Sequence, residues 1–431
     1  MLFNEETEQF EIGGLSAVEL AETYGTPLFV YDAARIQQQY YTMSQALQGV
    51  SKVKIHYACK ALTNISVLRL LKQLGAGLDA VSYQEILLGL QAGFAPKEIM
   101  YTPNSVSIEE LEAAIRLGVR VNIDNIETLE YMGLQHPDKA FCVRVNPHIM
   151  AGGNSKISVG HIDSKFGISI HQMPLVHRLV ETLNMKIEGV HMHTGSDILD
   201  VDVFAHAAEL LFSVAREFKD LEYIDFGSGF KVKYKAHDIE TNMEQFGEMI
   251  TEQFNAFCEE TGKDLTLVFE PGKYLVSEAG TFLARTNVVK QTTSTVFAGL
   301  DTGFNHLIRP MFYGAHHDIV NASNPLGKPK IYTVVGYICE TDTFGWNRRI
   351  SEIKAGDILA FKNAGAYCFS MASNYNSRYR PAEVLIHQGQ AHLIRARESF
   401  EDLLRNQPDP VLDFEAFLPK TSPNSEEAIV S

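Results

Sequence analysis

Thr266-Leu267-Val268-Phe269-Glu270-Pro271-Gly272-Lys273 is an apolar run that stops abruptly at an acid, a proline and a glycine. A strand with one face in water alternates polar and apolar residues. An unbroken run belongs to a strand covered on both faces, as in a parallel sheet flanked by helices. Seven comparable runs precede it, at 54–58, 77–81, 98–102, 120–124, 140–146, 187–193 and 222–226, and 266–270 is the last. Amphipathic segments at 65–74, 83–92, 108–117 and 203–218 lie between them. Eight β-then-α units in about 230 residues is the count and size of a (β/α)8 barrel. A doubly wound open sheet is the alternative. The barrel is favoured because the count stops at eight and the pattern then changes.

Beyond about Gly280 the helical period fades. Segments 282–290, 330–338, 357–362, 383–387 and 392–395 read as strands separated by turn residues, which is an all-β domain. The strand-like 27–31 precedes the barrel pattern and is expected to join that second sheet. The expected organisation is therefore a segment 1–33 that joins the β-domain, a barrel over 34–280, an all-β domain over 281–418 and a disordered tail over 419–431, where Pro, Ser and Glu cluster.

Acidic side chains outnumber basic ones by 53 to 37, a net charge of −16, which repels phosphate backbones and excludes nucleic acid as an expected partner. The five cysteines are odd in number and contain no C-x-x-C pair, so neither a disulfide framework nor a cysteine zinc site is expected. There is no basic, apolar leader at the N-terminus and no apolar run long enough to span a bilayer. A reducing, cytoplasmic setting is the expectation.

Barrel enzymes place their chemistry at the C-terminal ends of strands. The first strand runs into Cys59-Lys60-Ala61, the sixth into His191-Met192-His193-Thr194-Gly195-Ser196, the seventh into Gly227-Ser228-Gly229 and the eighth into Glu270-Pro271-Gly272-Lys273. A lysine at a barrel mouth can be desolvated, which lowers its pKa and makes it a Schiff-base nucleophile; in isolation Lys60 would read as a solvated surface lysine. Glycines around Ser228 let backbone N–H groups approach an anion, and Gly272 in the next loop would complete a phosphate cradle; the ordinary alternative is a tight turn. Glu270, ending an apolar strand, needs a partner: a protonated pyridine nitrogen or a structural salt bridge. His191 and His193 share a strand face, yet no third ligand is marked, so a stacked imidazole or a satisfied core histidine is expected rather than a metal. In the β-domain, Cys339 followed by Glu340 and Asp342 suits a proton donor beside groups that recognise an ammonium, or else a buried thiol. Arg309 and Tyr313, four residues apart, suit a carboxylate, surface arginine being the ordinary alternative.

Taken in order, Y-A-C-K-A, G-L-D-A-V-S, S-K-F-G-I, H-M-H-T-G-S, G-S-G, E-P-G-K, L-I-R-P-x-x-Y-G, I-C-E-T-D and G-A-Y…S-N-Y-N cover most of the chain. The set resembles the alanine-racemase-type (fold-type III) decarboxylases that use pyridoxal 5'-phosphate, and within them the branch acting on diaminopimelate. The resemblance implies decarboxylation of meso-2,6-diaminopimelate to L-lysine. It assigns Lys60 as the Schiff-base lysine, His193 as the residue packed on the cofactor ring, and Gly227, Ser228, Gly229 and Gly272 as the phosphate site. Glu270 would meet the pyridine nitrogen, and Ser196 and Tyr367 would reach cofactor or substrate. Lys273, Arg309, Tyr313 and Glu340 would hold the far end of the substrate, and Cys339 would deliver a proton. It also implies a homodimer in which Cys339 and Glu340 come from the neighbouring subunit. Three departures stand out: G-S-G for three glycines, C-E-T-D for C-E-S-G-D, and Lys273 where arginine is usual, which keeps the charge and loses the bidentate fork. Other readings of the same resemblance are a carboxynorspermidine decarboxylase, an alanine-racemase-like isomerase, which would release no carbon dioxide, and a non-catalytic cofactor-binding protein.

Overall fold

A computed structural model describes residues 1–149, 164–193, 195, 201–235, 237–340, 342–408 and 410. Eight parallel strands close into a barrel: Val53–Ala58, Gly77–Ala80, Ile99–Tyr101, Arg120–Ile123, Ala140–Asn146, Lys186–Met192, Tyr223–Asp225 and Thr266–Phe269. Closure is made by the eighth strand pairing with the first, Leu267 opposite Val53 and Phe269 opposite Ile55. The apolar runs are buried on both sides, as expected of strands inside a helical ring.

The loops that lead into the outer helices end in capping residues. Asn64, Ser82, Ser107 and Asn125 each accept a backbone N–H of the first turn that follows. Gly93, Gly118 and Gly262 end helices in the left-handed conformation. Ala33–Ala46 packs against Met243–Thr261 and Lys273–Val276. It takes the eighth helix's place, because the chain leaves the barrel for the second domain soon after the eighth strand.

That domain is built on a sheet in the order Thr343–Ser351, Pro329–Val335, Val296–Leu300, Gly280–Gln291, Leu28–Asp32, Ala382–His387 and Gln390–Arg395. Leu28–Asp32, from ahead of the barrel, lies in its middle, antiparallel to Gly280–Gln291 and parallel to Ala382–His387. The expected architecture, barrel plus β-domain with an N-terminal strand inserted, is the one observed. Beyond Gly280, three strands were not legible in the sequence: Val296–Leu300, Ile319–Asn321 and Thr343–Ser351; nor were the short Leu2–Asn4, Gln9–Ile12, Leu15–Ser16 and Ile168–Ser169. The expected disordered tail lies outside the described residues. Among the described residues no helix is long and apolar enough to cross a membrane.

Candidate active site

A cavity of about 700 Å³ opens at the C-terminal ends of the barrel strands, lined by Lys60, His193, Glu270, Lys273, Arg309, Tyr313 and Tyr367 among others. With His191, eight of the residues singled out from sequence thus line one cavity. Gly227, Ser228, Gly229 and Gly272 are not among the lining residues, and Ser196 lies outside the described residues.

Lys60 sits in the turn Cys59–Ala61 that ends the first strand, with Nζ 3.8 Å from Asp79 Oδ2. Its side chain is 40% exposed, to the cavity, while Asp79 is 1% exposed. Burial pulls the amine's pKa down, but Asp79, Tyr367 and Glu270 outweigh it and the net shift is upward. The expectation of a lowered lysine pKa is therefore corrected: the cluster of anions around Lys60 overrides its desolvation. Asp79 is itself pushed up to about 7, first by burial and then by the charge of Glu270, with Lys60 pulling the other way.

Glu270 follows the eighth strand directly. Its Oε2 lies 2.9 Å from His191 Nε2, and Thr102 Oγ1 is 3.5 Å from Oε1. Burial opposes ionisation, but His191 and Lys60 hold the carboxyl below the ordinary range. His191 is fully buried and burial lowers its pKa, so a neutral ring donates Nε2–H to the carboxylate. The ordinary alternative for Glu270, a structural salt bridge, takes the form of this His191 contact, ionic only when the ring is protonated.

Gly227 has φ +61°, and a Cβ there would lie 2.6 Å from the Met192 carbonyl and 2.8 Å from His193 Nδ1, so this turn demands glycine. Ser228 N–H donates to His193 Nδ1 at 3.1 Å, which leaves the proton on Nε2 and ties the imidazole to the loop. A Cβ on Gly272 would sit 3.2 Å from the Ala58 carbonyl, so glycine lets the eighth loop close on the end of the first strand. Phe226 and Phe230 bracket the 227–229 loop and pack with Phe246 and Phe269, ring centroids 5.0–5.9 Å apart.

Arg309 begins the short helix Arg309–Tyr313 and is 8% exposed. Its Nη1 donates to Tyr234 Oη at 3.0 Å and lies 3.3 Å from His317 Nε2, while the guanidinium stacks 4.8 Å from the Tyr234 ring. His317, pushed down to about 3 by burial and then by Arg309, is a neutral acceptor. Its Nδ1 lies 2.9 Å from the Lys362 carbonyl. Tyr367 is held at φ +55°, its N–H on the Ala61 carbonyl at 2.8 Å, so the β-domain reaches across to the turn that carries Lys60.

Cys339 and Glu340 do not line this cavity. They are exposed, with Cys339 Sγ 3.4 Å from Glu340 Oε2 and 3.7 Å from Asn376 Nδ2, and with Tyr375 Oη donating to Glu340. Asp342 accepts the N–H groups of Phe304 and Ile338 at 2.7 and 2.9 Å, so it shapes the loop rather than facing a ligand. Asp79, Arg144, Tyr234, His317 and Asp225 were not singled out from sequence. Each is a charged or polar residue inside a largely apolar stretch or beside a named motif, and that is the signal that marks them. His191, Asp225 and Glu270 also bring one ligand atom each to within 4.8 Å of one another, a third partner that the H-x-H spacing did not reveal.

The set fits a phosphorylated pyridine aldehyde: an amine for the aldehyde, a carboxylate held ionised for the ring nitrogen, an imidazole at the ring, and a glycine turn that a side chain would block. Comparison with known proteins agrees. Residues 33–277 match the family model for the pyridoxal binding domain of pyridoxal-dependent decarboxylases. The diaminopimelate decarboxylase of Methanothermobacter thermautotrophicus is 42% identical, over 93% of this chain and 95% of that protein. The Helicobacter pylori diaminopimelate decarboxylase in complex with L-lysine superimposes with a TM-score of 0.83, at 32% identity over 90% of this chain and 98% of that one. That of M. jannaschii, also with L-lysine, gives 0.86 at 28% identity over 95% and 99%. On the cavity's residues and on these matches together, the chain belongs to the pyridoxal-dependent decarboxylases.

Proposed function

We propose that this decarboxylase uses pyridoxal 5'-phosphate to convert meso-2,6-diaminopimelate to L-lysine and carbon dioxide. The observation that carries the substrate is a further set of cations in the cavity lining. Arg309, fixed by Tyr234 and His317, lines the cavity with Lys273 and Tyr313 as well as Lys60. A second carboxylate, remote from the reacting carbon, is the substrate group that such a lining recognises. When bound, the cofactor's protonated ring supplies an electron sink for the bond to the departing carboxylate.

The residues divide the work. Lys60 would hold the cofactor aldehyde and Glu270 would keep the ring nitrogen protonated. His193 would lie at the ring, and Gly227, Ser228, Gly229 and Gly272 would take the phosphate. Lys273, lacking a bidentate fork, leaves more of the distal carboxylate to Arg309. Cys339 Sγ would protonate the carbon that has lost its carboxylate, and Glu340 would accept the distal ammonium.

Both would act in the cavity of a second copy, so the working unit is a homodimer. The face around Cys339 supports this. Phe304 stacks on Tyr375 at 5.5 Å, Arg378 lies 4.0 Å from the Tyr337 ring, and Tyr375 and Tyr379 are 43% and 40% exposed. Aromatic rings grouped on one face suit cover by a partner. All five cysteines are free thiols, which suits a reducing cytoplasm.

Carbon dioxide release from meso-diaminopimelate, ornithine, arginine and carboxynorspermidine, each with added cofactor, tests the reading. The highest kcat/KM is expected for meso-diaminopimelate. A preference for any substrate without a distal carboxylate would remove the assignment.

A further inference from the structure

One buried acid has no part in the roles above. Asp225, at the end of the seventh strand, is fully buried. Strand register sets His191 beside Asp225 and Asp225 beside Val268, two residues before Glu270. On a pleated strand those positions turn to the same side, and the ligand atoms of His191, Asp225 and Glu270 lie within 4.8 Å of one another. Asp225 Oδ1 accepts the N–H of Gly227 at 2.8 Å, but its buried Oδ2 meets no donor.

Two carboxylates this close in a buried site cannot both be ionised, and a buried oxygen without a donor is costly. One proton resolves both difficulties, because on Oδ2 it turns the orphaned acceptor into a donor with Glu270 as its neighbour. Glu270 has His191 to hold it ionised. Asp225 has burial and the Glu270 charge against it, and both push its carboxyl well above the ordinary range.

We propose that Asp225 and Glu270 share one proton, and that Asp225 is a positioning residue: a neutral carboxylic acid whose O–H donates to Glu270 and fixes that carboxylate beside His191. The consequence for cofactor binding rests on the role proposed for Glu270; the shared proton does not.

Infrared difference spectra of the cofactor-free protein at a pH about two units above the Asp79 value of about 7, where that group is ionised, test the proton directly, because only a neutral carboxylic acid gives the high-frequency C=O stretch. The band is expected in the wild type and in Asp79→Asn, and is expected to vanish in Asp225→Asn. No band in the wild type, or a band that survives Asp225→Asn and is lost in Asp79→Asn, overturns the proposal.

Cofactor affinity tests the positioning. In Asp225→Asn the amide can still donate to Glu270 while its oxygen accepts from Gly227, so affinity should stay within a few-fold of wild type. Asp225→Ala should lose about tenfold or more, the worth of a hydrogen bond to a charged group. Equal losses in the two variants, or none in either, overturn the positioning role. If Glu270→Gln keeps a near-normal kcat, the reading of Glu270 fails, and the infrared result still decides the shared proton. Should Asp225→Ala not fold, Asp225→Asn decides through the same band.

Discussion

At the residue scale the proposed chemistry falls to Lys60 and Glu270, and their place in the cavity was legible because a polar residue that ends an apolar barrel strand faces the barrel mouth. Borohydride reduction of the holoenzyme followed by peptide mapping should label Lys60, and Lys60→Ala should lose both turnover and the visible absorbance of the linked cofactor. Label on another lysine would refute the assignment. Glu270→Gln should still bind cofactor but lose about 10²-fold or more in kcat, the scale of removing preorganised electrostatic support; a near-normal kcat would remove its role. Asp79 gives a pH prediction for the cofactor-free protein. Its folded pKa, about 7, stands above the ordinary 3.8, so the native state binds more protons than the unfolded one. Stability from this group is full at acid pH and lost as pH rises from about 4 to about 7. Denaturant titrations should show Asp79→Asn free of that loss; parallel pH profiles for variant and wild type would contradict it. Asp79, Arg144 and Asp225 escaped the reading for a physical reason. They lie within strands rather than after them, and which face of a barrel strand looks inward is decided by closure, which no local pattern reports.

At the scale of elements, the eight barrel strands were legible because burial on both faces writes an unbroken apolar run. Val296–Leu300 and Thr343–Ser351 were not, since edge and hairpin strands alternate weakly, and Asn347 at φ +51° interrupts the second. Ala33–Ala46 was missed because its polar outer face, rich in Gln and Tyr, masks the stripe it buries. The elements also hold the site together. Phe246, from Met243–Thr261, touches Phe230 and Phe269, the residues flanking the phosphate loop and Glu270. Phe246→Ala should cost about 3–5 kcal/mol as a core truncation and should weaken cofactor binding as well, by loosening the 227–229 loop. Unchanged affinity in the folded variant would show that the loop does not lean on this ring. Glu383 ties the domains: fully buried, it accepts from Tyr31 at 2.7 Å, Asn64 at 2.9 Å and Arg395 at 2.5 Å. Asn64 caps the helix just beyond Lys60. Glu383→Ala should lower stability by about 2–4 kcal/mol, less than the orphaned partners would sum to, because half-exposed Arg395 can turn to water. A melting temperature equal to wild type would contradict the clamp.

At the scale of the molecule, a chain of net charge −16 gathers Lys60, Arg144, Lys231, Lys235, Lys273 and Arg309 around one cavity. That local positive field suits a cofactor phosphate and a substrate with two carboxylates. The barrel and β-domain were legible from the change of hydrophobic period near Gly280; the proposed shared site rests on family resemblance, since Cys339 has no local signal for a partner. Mixing tests it. Lys60→Ala and Cys339→Ala, each nearly inactive alone, should recover roughly a quarter of wild-type activity when co-refolded in equal amounts, because random pairing in a symmetric dimer leaves one intact site in half the dimers. No recovery, or an active Cys339→Ala, would return Cys339 to its own chain or to a structural part. The most direct measurement is simpler: meso-diaminopimelate is incubated with the cofactor-loaded protein, and carbon dioxide and L-lysine are quantified together. One lysine per carbon dioxide from the wild type, and neither from Lys60→Ala, is the expected result. Carbon dioxide without lysine, or lysine formation that survives the loss of Lys60, would contradict it.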